Sequence, residues 1–239
     1  LSIVVPAYNE ALRLPETLGK IRAFCDRQSY CCEVLVVDDG SADGTVAIVE
    51  NTAASWPALR LLRNPGNRGK GFSVRHGMLQ AQGEFVLFSD ADLSTPIEEA
   101  TRLLERAAEG FDVVIGSRAL QPELIGVHQS LWREKAGQFF NLVMRAATGL
   151  PFHDTQCGFK LFRRAVAQCV FALQRIEGFG FDVEILFLVR KFGYRALELP
   201  VRWDHVEGTK VGMFSGLDAF VDLWRIRRWD RRGLYRCVK

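Results

Sequence analysis

Asp90 and Asp92 stand one residue apart where the apolar run Phe85–Ser89 stops. Carboxylates at i and i+2 on a chain leaving a strand can turn toward one point, and hard oxygen ligands of that kind suit Mg²⁺ or Mn²⁺. A metal held there would in turn hold a diphosphate. The alternative is that Asp92 caps the helix announced by Pro96 while Asp90 is merely solvated. A second acidic pair, Asp38-Asp39, precedes Gly40. It either closes an Asx turn or offers Asp39 as an acceptor for the N–H groups of a base and the hydroxyls of a ribose. The third stretch is the loop from Gly66 to Gly71, with Lys70 between Gly69 and Gly71. Gly-rich loops ahead of helices cradle phosphates, although glycines also serve plain tight turns. Gly71 follows Lys70 where a P-loop needs Ser or Thr, and no G-x-G-x-x-G follows the first strand, so neither an ATPase loop nor a dinucleotide fingerprint is present. His76, His128, His153 and His205 share no i, i+4 spacing, so a histidine metal site is not expected.

These residues need a scaffold that brings strand ends together. Strands are expected at Ser2–Val5, Glu33–Val37, Leu59–Leu62, Phe85–Ser89 and Val113–Ile115, each followed by a turn and, for the first four, by a helical pattern. Leu14, Leu18, Ile21 and Phe24 mark the first helix. Strands and helices alternating at this cadence predict an α/β fold, a mostly parallel, Rossmann-like sheet flanked by helices. Ligands of such sheets sit at the carboxyl ends of the strands. After Arg118 the cadence breaks. Gln121–Gln129 is irregular, Leu131–Thr148 is a long helix candidate, Asp154–Lys160 reads as a polar turn, and Phe179–Phe192 is helical. A late strand, Ala196–Val201, leads to a Gly-rich loop at His205–Gly212.

Composition sets outer bounds. The 239 residues are 48% hydrophobic and 25% charged with a net charge of +3, the mix of a globular protein and too little charge to imply nucleic acid. The six cysteines form no C-x-x-C pair, which favours free thiols over a disulfide framework. Cys157 is expected to be a small buried hydrophobe.

In order along the chain, Val4-Val5-Pro6-Ala7-Tyr8-Asn9-Glu10, Val37-Asp38-Asp39-Gly40-Ser41-x-Asp43-Gly44-Thr45, Gly69-Lys70-Gly71, Asp90-Ala91-Asp92 and Gly116-Ser117-Arg118 resemble the family 2 inverting glycosyltransferases with the GT-A fold. The resemblance covers nearly the whole chain. Within the family, Asp92-Leu-Ser-Thr-Pro96, Asp154-Thr-Gln-Cys-Gly-Phe-Lys160 and Phe181-Asp182-Val-Glu184 are most similar to the dolichyl-phosphate β-glucosyltransferases, followed by the dolichyl-phosphate mannose synthases. The Gln-x-x-Arg-Trp signature of processive synthases is absent. So is the Gly-rich first loop of a sugar-nucleotide pyrophosphorylase, whose place is taken by Pro6-Ala7-Tyr8-Asn9-Glu10. Intact Asp90 and Asp92 argue against an idle scaffold.

The resemblance implies a UDP-glucose or GDP-mannose donor across the strand ends, Mg²⁺ or Mn²⁺ as cofactor, and a polyprenyl or dolichyl phosphate acceptor. Pro6, Ala7, Tyr8, Glu10, Asp38, Asp39, Lys70, Asp90 and Ala91 would line the donor site, with Asp90 and Asp92 on the metal. Asp154 and Gln156 would close the sugar pocket. A phosphate acceptor needs cations rather than a base, which points to Arg118 and then Arg133. A hydroxyl acceptor would need a base, with Asp182 or Asp154 the choices.

Residues 1–212 are expected to form the catalytic unit, its nucleotide-sugar half at 1–118 and its acceptor half at 119–212, with a basic tail at 213–239. In the tail, Leu217, Phe220, Val221 and Trp224 are expected to form the apolar face of an amphipathic helix, with Ser215, Asp218, Asp222 and Arg225 opposite. Arg225, Arg227, Arg228, Arg231, Arg232, Arg236 and Lys239 crowd its end beside Trp229 and Tyr235. That combination suits an anionic membrane surface. The expected location is peripheral, on the cytoplasmic face, with an N-terminal anchor preceding Leu1 as a further expectation.

Overall fold

A computed structural model describes residues 1–121, 123, 125–127, 149–204 and 215–236. Strands β1 (Ser2–Ala7), β2 (Glu33–Asp38), β3 (Leu59–Arg63), β4 (Phe85–Ser89) and β5 (Val113–Ser117) alternate with helices α1 (Leu14–Asp26), α2 (Thr45–Ala53), α3 (Lys70–Gln80) and α4 (Glu99–Ala108). The later elements are β6 (Ile125–Val127), β7 (Phe159–Arg163), α5 (Arg164–Leu173), α6 (Phe181–Lys191), β8 (Ala196–Pro200), β9 (Trp203–Asp204) and α7 (Ser215–Arg231).

The main sheet runs β3-β2-β1-β4-β7-β5-β8. Its pairings are parallel except those of β7, which is antiparallel to β4 and to β5. Both faces are covered, which is why the strands read as continuous apolar runs. Val4, Leu35, Val37 and Phe88 point into one core with α3, α5 and α6. Ile3, Val5, Val34, Val36 and Leu87 point into the other with α1 and α4. Because β7 runs backwards, the residues before it lie at the same sheet edge as the residues after β1, β2, β4 and β5. Asp154–Gly158 therefore reaches the strand ends that carry Asp39, Asp90 and Arg118.

Three expectations need correction. The turn expected at Asp154–Lys160 stops at Gly158, because Phe159 and Lys160 already belong to β7, and Lys160 is fully buried. Among the cysteines, Cys25, Cys31, Cys32 and Cys157 are free, but Cys169 is disulfide-bonded. In the tail helix Asp222, expected on the polar face, is buried together with Leu223 and Ile226, while Val221 and Trp224 of the expected apolar face are exposed and not docked on the core. Leu223 and Ile226 join the α3–α5–α6 core, and Tyr235 follows them to donate a hydrogen bond to buried Glu184 on α6 (2.6 Å). The core claims the stripe that completes it, not the one most apolar in the tail itself. The side chains of Leu217, Phe220 and Asp218, the helix expected at 131–148 with Arg133, and the loop at 205–212 lie outside the described residues. Among the described residues no helix is long and apolar enough to cross a membrane.

Candidate functional site

Asp38 and Asp39 part ways at the end of β2. The buried Asp38 carboxylate accepts the N–H groups of Gly40 (3.2 Å) and Ser41 (3.3 Å), the Asx turn. Asp39 instead anchors the Gly-rich loop. Its carboxylate accepts from Arg68 N (3.0 Å), Gly69 N (2.7 Å) and the Asn64 amide (2.8 Å). Asn64 also donates to Ser73 Oγ at 2.9 Å and meets His76 Nδ1 at 2.9 Å. The loop after β1 is laced to the same region, with Asn9 N donating to Ser41 Oγ and Glu10 N to Thr45 Oγ1, each at 2.8 Å. Pro6 is half-buried, Ala7 buried and Tyr8 exposed along the rim. The Glu10 carboxylate pairs with Arg13 (2.8 Å).

The glycines around Lys70 serve close approach. A Cβ on Gly69 would stand 2.6 Å from the Glu177 carbonyl, and one on Gly71 would stand 2.7 Å from that of Ile176. Phe72 N donates to Glu177 O (3.1 Å), so the start of α3 is pressed onto the 176–178 backbone. Lys70, the first residue of α3, is thereby aimed across the sheet edge to Asp90, Nζ to Oδ1 at 2.6 Å. Burial works against the ammonium, but the carboxylates of Asp90, Asp182 and Asp92 outweigh it and hold Lys70 above the ordinary lysine value.

Asp90 is fixed from its other side by β7. Its N–H donates to Gly158 O (3.0 Å), and any Cβ at Gly158 would overlap the Asp90 carboxylate. Ala91 is buried, its carbonyl accepting from Thr17 Oγ1 of α1 (2.6 Å). Leu93 takes φ 47°, a conformation non-glycine residues seldom adopt, and the kink lets Asp92 Oδ1 accept from Ser94 N (3.0 Å). A small cavity beside Asp90 is lined by Ser94, Thr95, Gly158 and Trp203.

Beneath this pair lies a second one. Lys160 donates to Asp182 Oδ1 and to Cys157 O, both at 2.5 Å. Burial pushes the Asp182 carboxyl up against the pull of Lys160 and Lys70. A third pair closes the far side: Arg118 grips Asp154 through Nε (2.7 Å) and Nη2 (2.9 Å), and its backbone N–H adds a contact at 3.1 Å. Burial opposes the Asp154 charge, but the Arg118 guanidinium overrides it and holds the carboxyl below the usual range. Gln156 N donates to Asp154 Oδ1 (3.2 Å), and Glu198 of β8 accepts Asp154 N (2.7 Å). Arg118 also stacks near Trp203, at 5.6 Å.

The structure thus brings Lys70, Asp90 and Asp182 into one charged cluster, sets Arg118, Asp154 and Gln156 beside it, and leaves Asp39, Asp38 and residues 6–10 along the opposite rim. Sequence reasoning missed Asn64, Lys160 and Glu198. No local pattern gives them a role, because their partners are 25, 22 and 44 residues away. No cluster of three or more potential metal ligands occurs among the described residues. Two carboxylates nevertheless fit Mg²⁺ or Mn²⁺, which take the rest of their shell from phosphate oxygens and water.

The family model described as "Glycosyl transferase family 2" matches residues 2–171. The chain is 38% identical over 246 residues to a Drosophila melanogaster protein named dolichyl-phosphate beta-glucosyltransferase, spanning 97% of this chain and 74% of that protein. It is 33% identical over 251 residues to a Homo sapiens protein of the same name, spanning 99% and 77%. Among solved structures it resembles the Mycobacterium tuberculosis glucosyl-3-phosphoglycerate synthase in complex with Mn²⁺, UDP-glucose and phosphoglyceric acid. The TM-score is 0.69 at 18% identity, over 94% of this chain and 78% of that one, a likeness of fold.

Proposed function

The chain belongs to glycosyl transferase family 2 and has the GT-A fold, and from that premise we propose that this glycosyltransferase moves glucose from UDP-glucose to dolichyl phosphate. Relatives at 32–38% identity carry the name of that activity. The observation in the site that carries the acceptor class is the Lys160–Asp182 pair. A hydroxyl acceptor needs a base, yet Asp182 is held by a buried lysine and Asp154 by Arg118. A phosphate is already ionised and needs none.

In this reading Pro6, Ala7, Tyr8 and Glu10 border the base and ribose, with Asp39 on their polar edge and Asp38 shaping the turn beneath. Lys70 lies at the diphosphate. Asp90 and Asp92 would hold Mg²⁺ or Mn²⁺, which when bound would neutralise charge on the departing nucleoside diphosphate. Arg118, its fork partly taken by Asp154, sets the sugar pocket with Gln156 and presents its remaining edge toward the acceptor. A lipid acceptor keeps the enzyme at a membrane, and the cytoplasmic face is where we place it. The outer face of α7, with Trp224 and Val221 exposed and Arg228 stacked on Trp224 at 4.9 Å, is the surface offered to anionic headgroups.

The test is mass spectrometry of the lipid product after incubating the protein and Mg²⁺ or Mn²⁺ with polyprenyl phosphate and a mixture of UDP-glucose and GDP-mannose. A hexosyl lipid formed from UDP-glucose is expected. Product from GDP-mannose would make it a mannose synthase, and no hexosyl lipid from either donor would overturn the phosphate reading.

A further inference from the structure

Resting on the metal and donor reading above, we infer that Lys70 is a resident counter-cation that makes binding of the divalent metal and of the nucleoside diphosphate depend on each other. The Lys70 ammonium sits 2.6 Å from Asp90 Oδ1, on an oxygen that a metal shared by Asp90 and Asp92 would approach. Asp90 cannot turn away, because the Gly158 backbone closes its other side. Lys70 is anchored at its base. Its backbone is clamped where Gly69 and Gly71 press on residues 176–178, and the Phe88 ring lies 5.7 Å from its ammonium.

The neighbouring carboxylates are already engaged in part. Asp182 is taken by Lys160 at 2.5 Å, and one oxygen of Asp92 accepts from Ser94 N. A divalent ion arriving alone therefore competes with a tethered ammonium and then faces it across a short distance, like charge against like. A diphosphate arriving with the ion changes this, since its oxygens give the ammonium an anionic partner just above the strand ends. The metal and the diphosphate then bind best together, and by linkage each raises the other's affinity by the same factor.

The experiment measures Mn²⁺ affinity by titration calorimetry, with and without UDP, for the full chain and for Lys70→Met, Lys70→Gln and Lys70→Arg, with thermal melts to confirm folding. In the wild type UDP is expected to tighten Mn²⁺ binding by about tenfold or more, within the usual range of coupling between sites. In Lys70→Met and Lys70→Gln, Mn²⁺ alone should bind about tenfold tighter and the UDP effect should shrink by a similar factor. Lys70→Arg, which keeps the charge, should keep the wild-type pattern. If the neutral variants lose UDP affinity while Mn²⁺ alone binds as in the wild type, Lys70 is a phosphate ligand only and the inference falls. If the wild type binds no Mn²⁺ even with UDP, the metal reading of Asp90 and Asp92 fails, and the inference goes with it.

Discussion

Two Lys–Asp pairs lie one above the other at the same sheet edge, and they are built for different ends. Lys160–Asp182 is sealed, with side-chain exposures of 0% and 5%, whereas Lys70–Asp90 sits at the mouth with 21% and 34%. The sealed pair joins β7 to α6 and has a carbonyl as third partner. Charges placed so deep cost a large desolvation energy and persist only when fully partnered. At the mouth, water softens the interaction and a ligand can replace either partner. The same two residue types therefore give a structural joint in one place and an exchangeable contact in the other, and burial decides which.

That contrast breaks first at Lys160. Lys160→Met should lower stability by about 3–5 kcal/mol, because it strands a buried carboxylate. Lys70→Met should change stability by about 1 kcal/mol or less, as for a solvent-reached pair. Urea denaturation of both variants checks this, and equal losses would erase the distinction.

Next in size is Asp92→Ala. It removes a half-buried mouth carboxylate whose Oδ1 accepts from Ser94 N, so stability, read from the unfolding midpoint, should fall only slightly, by about 1 kcal/mol or less. Transfer to polyprenyl phosphate should fall by about 10²–10³, the scale of losing one preorganised electrostatic contact at a reacting group. Substantial turnover at saturating metal would exclude Asp92 as a ligand.

A pH series sharpens the account of sealed pairs through Asp154. Arg118 depresses its folded pKa, so its stabilising contribution is complete above the ordinary carboxylate value of about 4. It is lost as pH falls through the lower folded value. The stability difference between wild type and Asp154→Asn, read from urea midpoints, should therefore be constant at neutral pH and narrow in acid below about pH 4. A difference that does not change with pH would mean the pair is not what Asp154 contributes.

The smallest effects belong to the exposed cations at the end of α7 and just beyond it. Each of Arg228→Ala and Arg232→Ala should weaken co-sedimentation with anionic vesicles by about 1 kcal/mol, or roughly fivefold, near a charged leaflet. Unfolding should be unaffected. Unchanged sedimentation at low salt would remove this face from the membrane reading.

The alternation of strand and helix, the strand ends and the acidic and glycine motifs placed on them were all legible along the chain. They rest on apolar runs bounded by turn residues, on the helical period of 3.6 residues and on turn chemistry, which are local properties. The antiparallel insertion of β7 was not, and with it went the burial of Lys160, since which strands become neighbours is settled by packing across the sheet. The glycines show the same division. Gly69, Gly71 and Gly158 read locally as turn residues, but they are there because distant backbone or the Asp90 carboxylate leaves no room for a Cβ. Which face of the tail docks on the core was not legible either, for a related reason. Its sequence carries more than one apolar stripe, and only the shape of the core between α3, α5 and α6 selects Leu223 and Ile226 over Val221 and Trp224. Local sequence can say which residues a charge or an apolar side chain has beside it on its own helix or strand. Its partner across the molecule, and hence whether it is sealed or exchangeable, is set only when the elements pack.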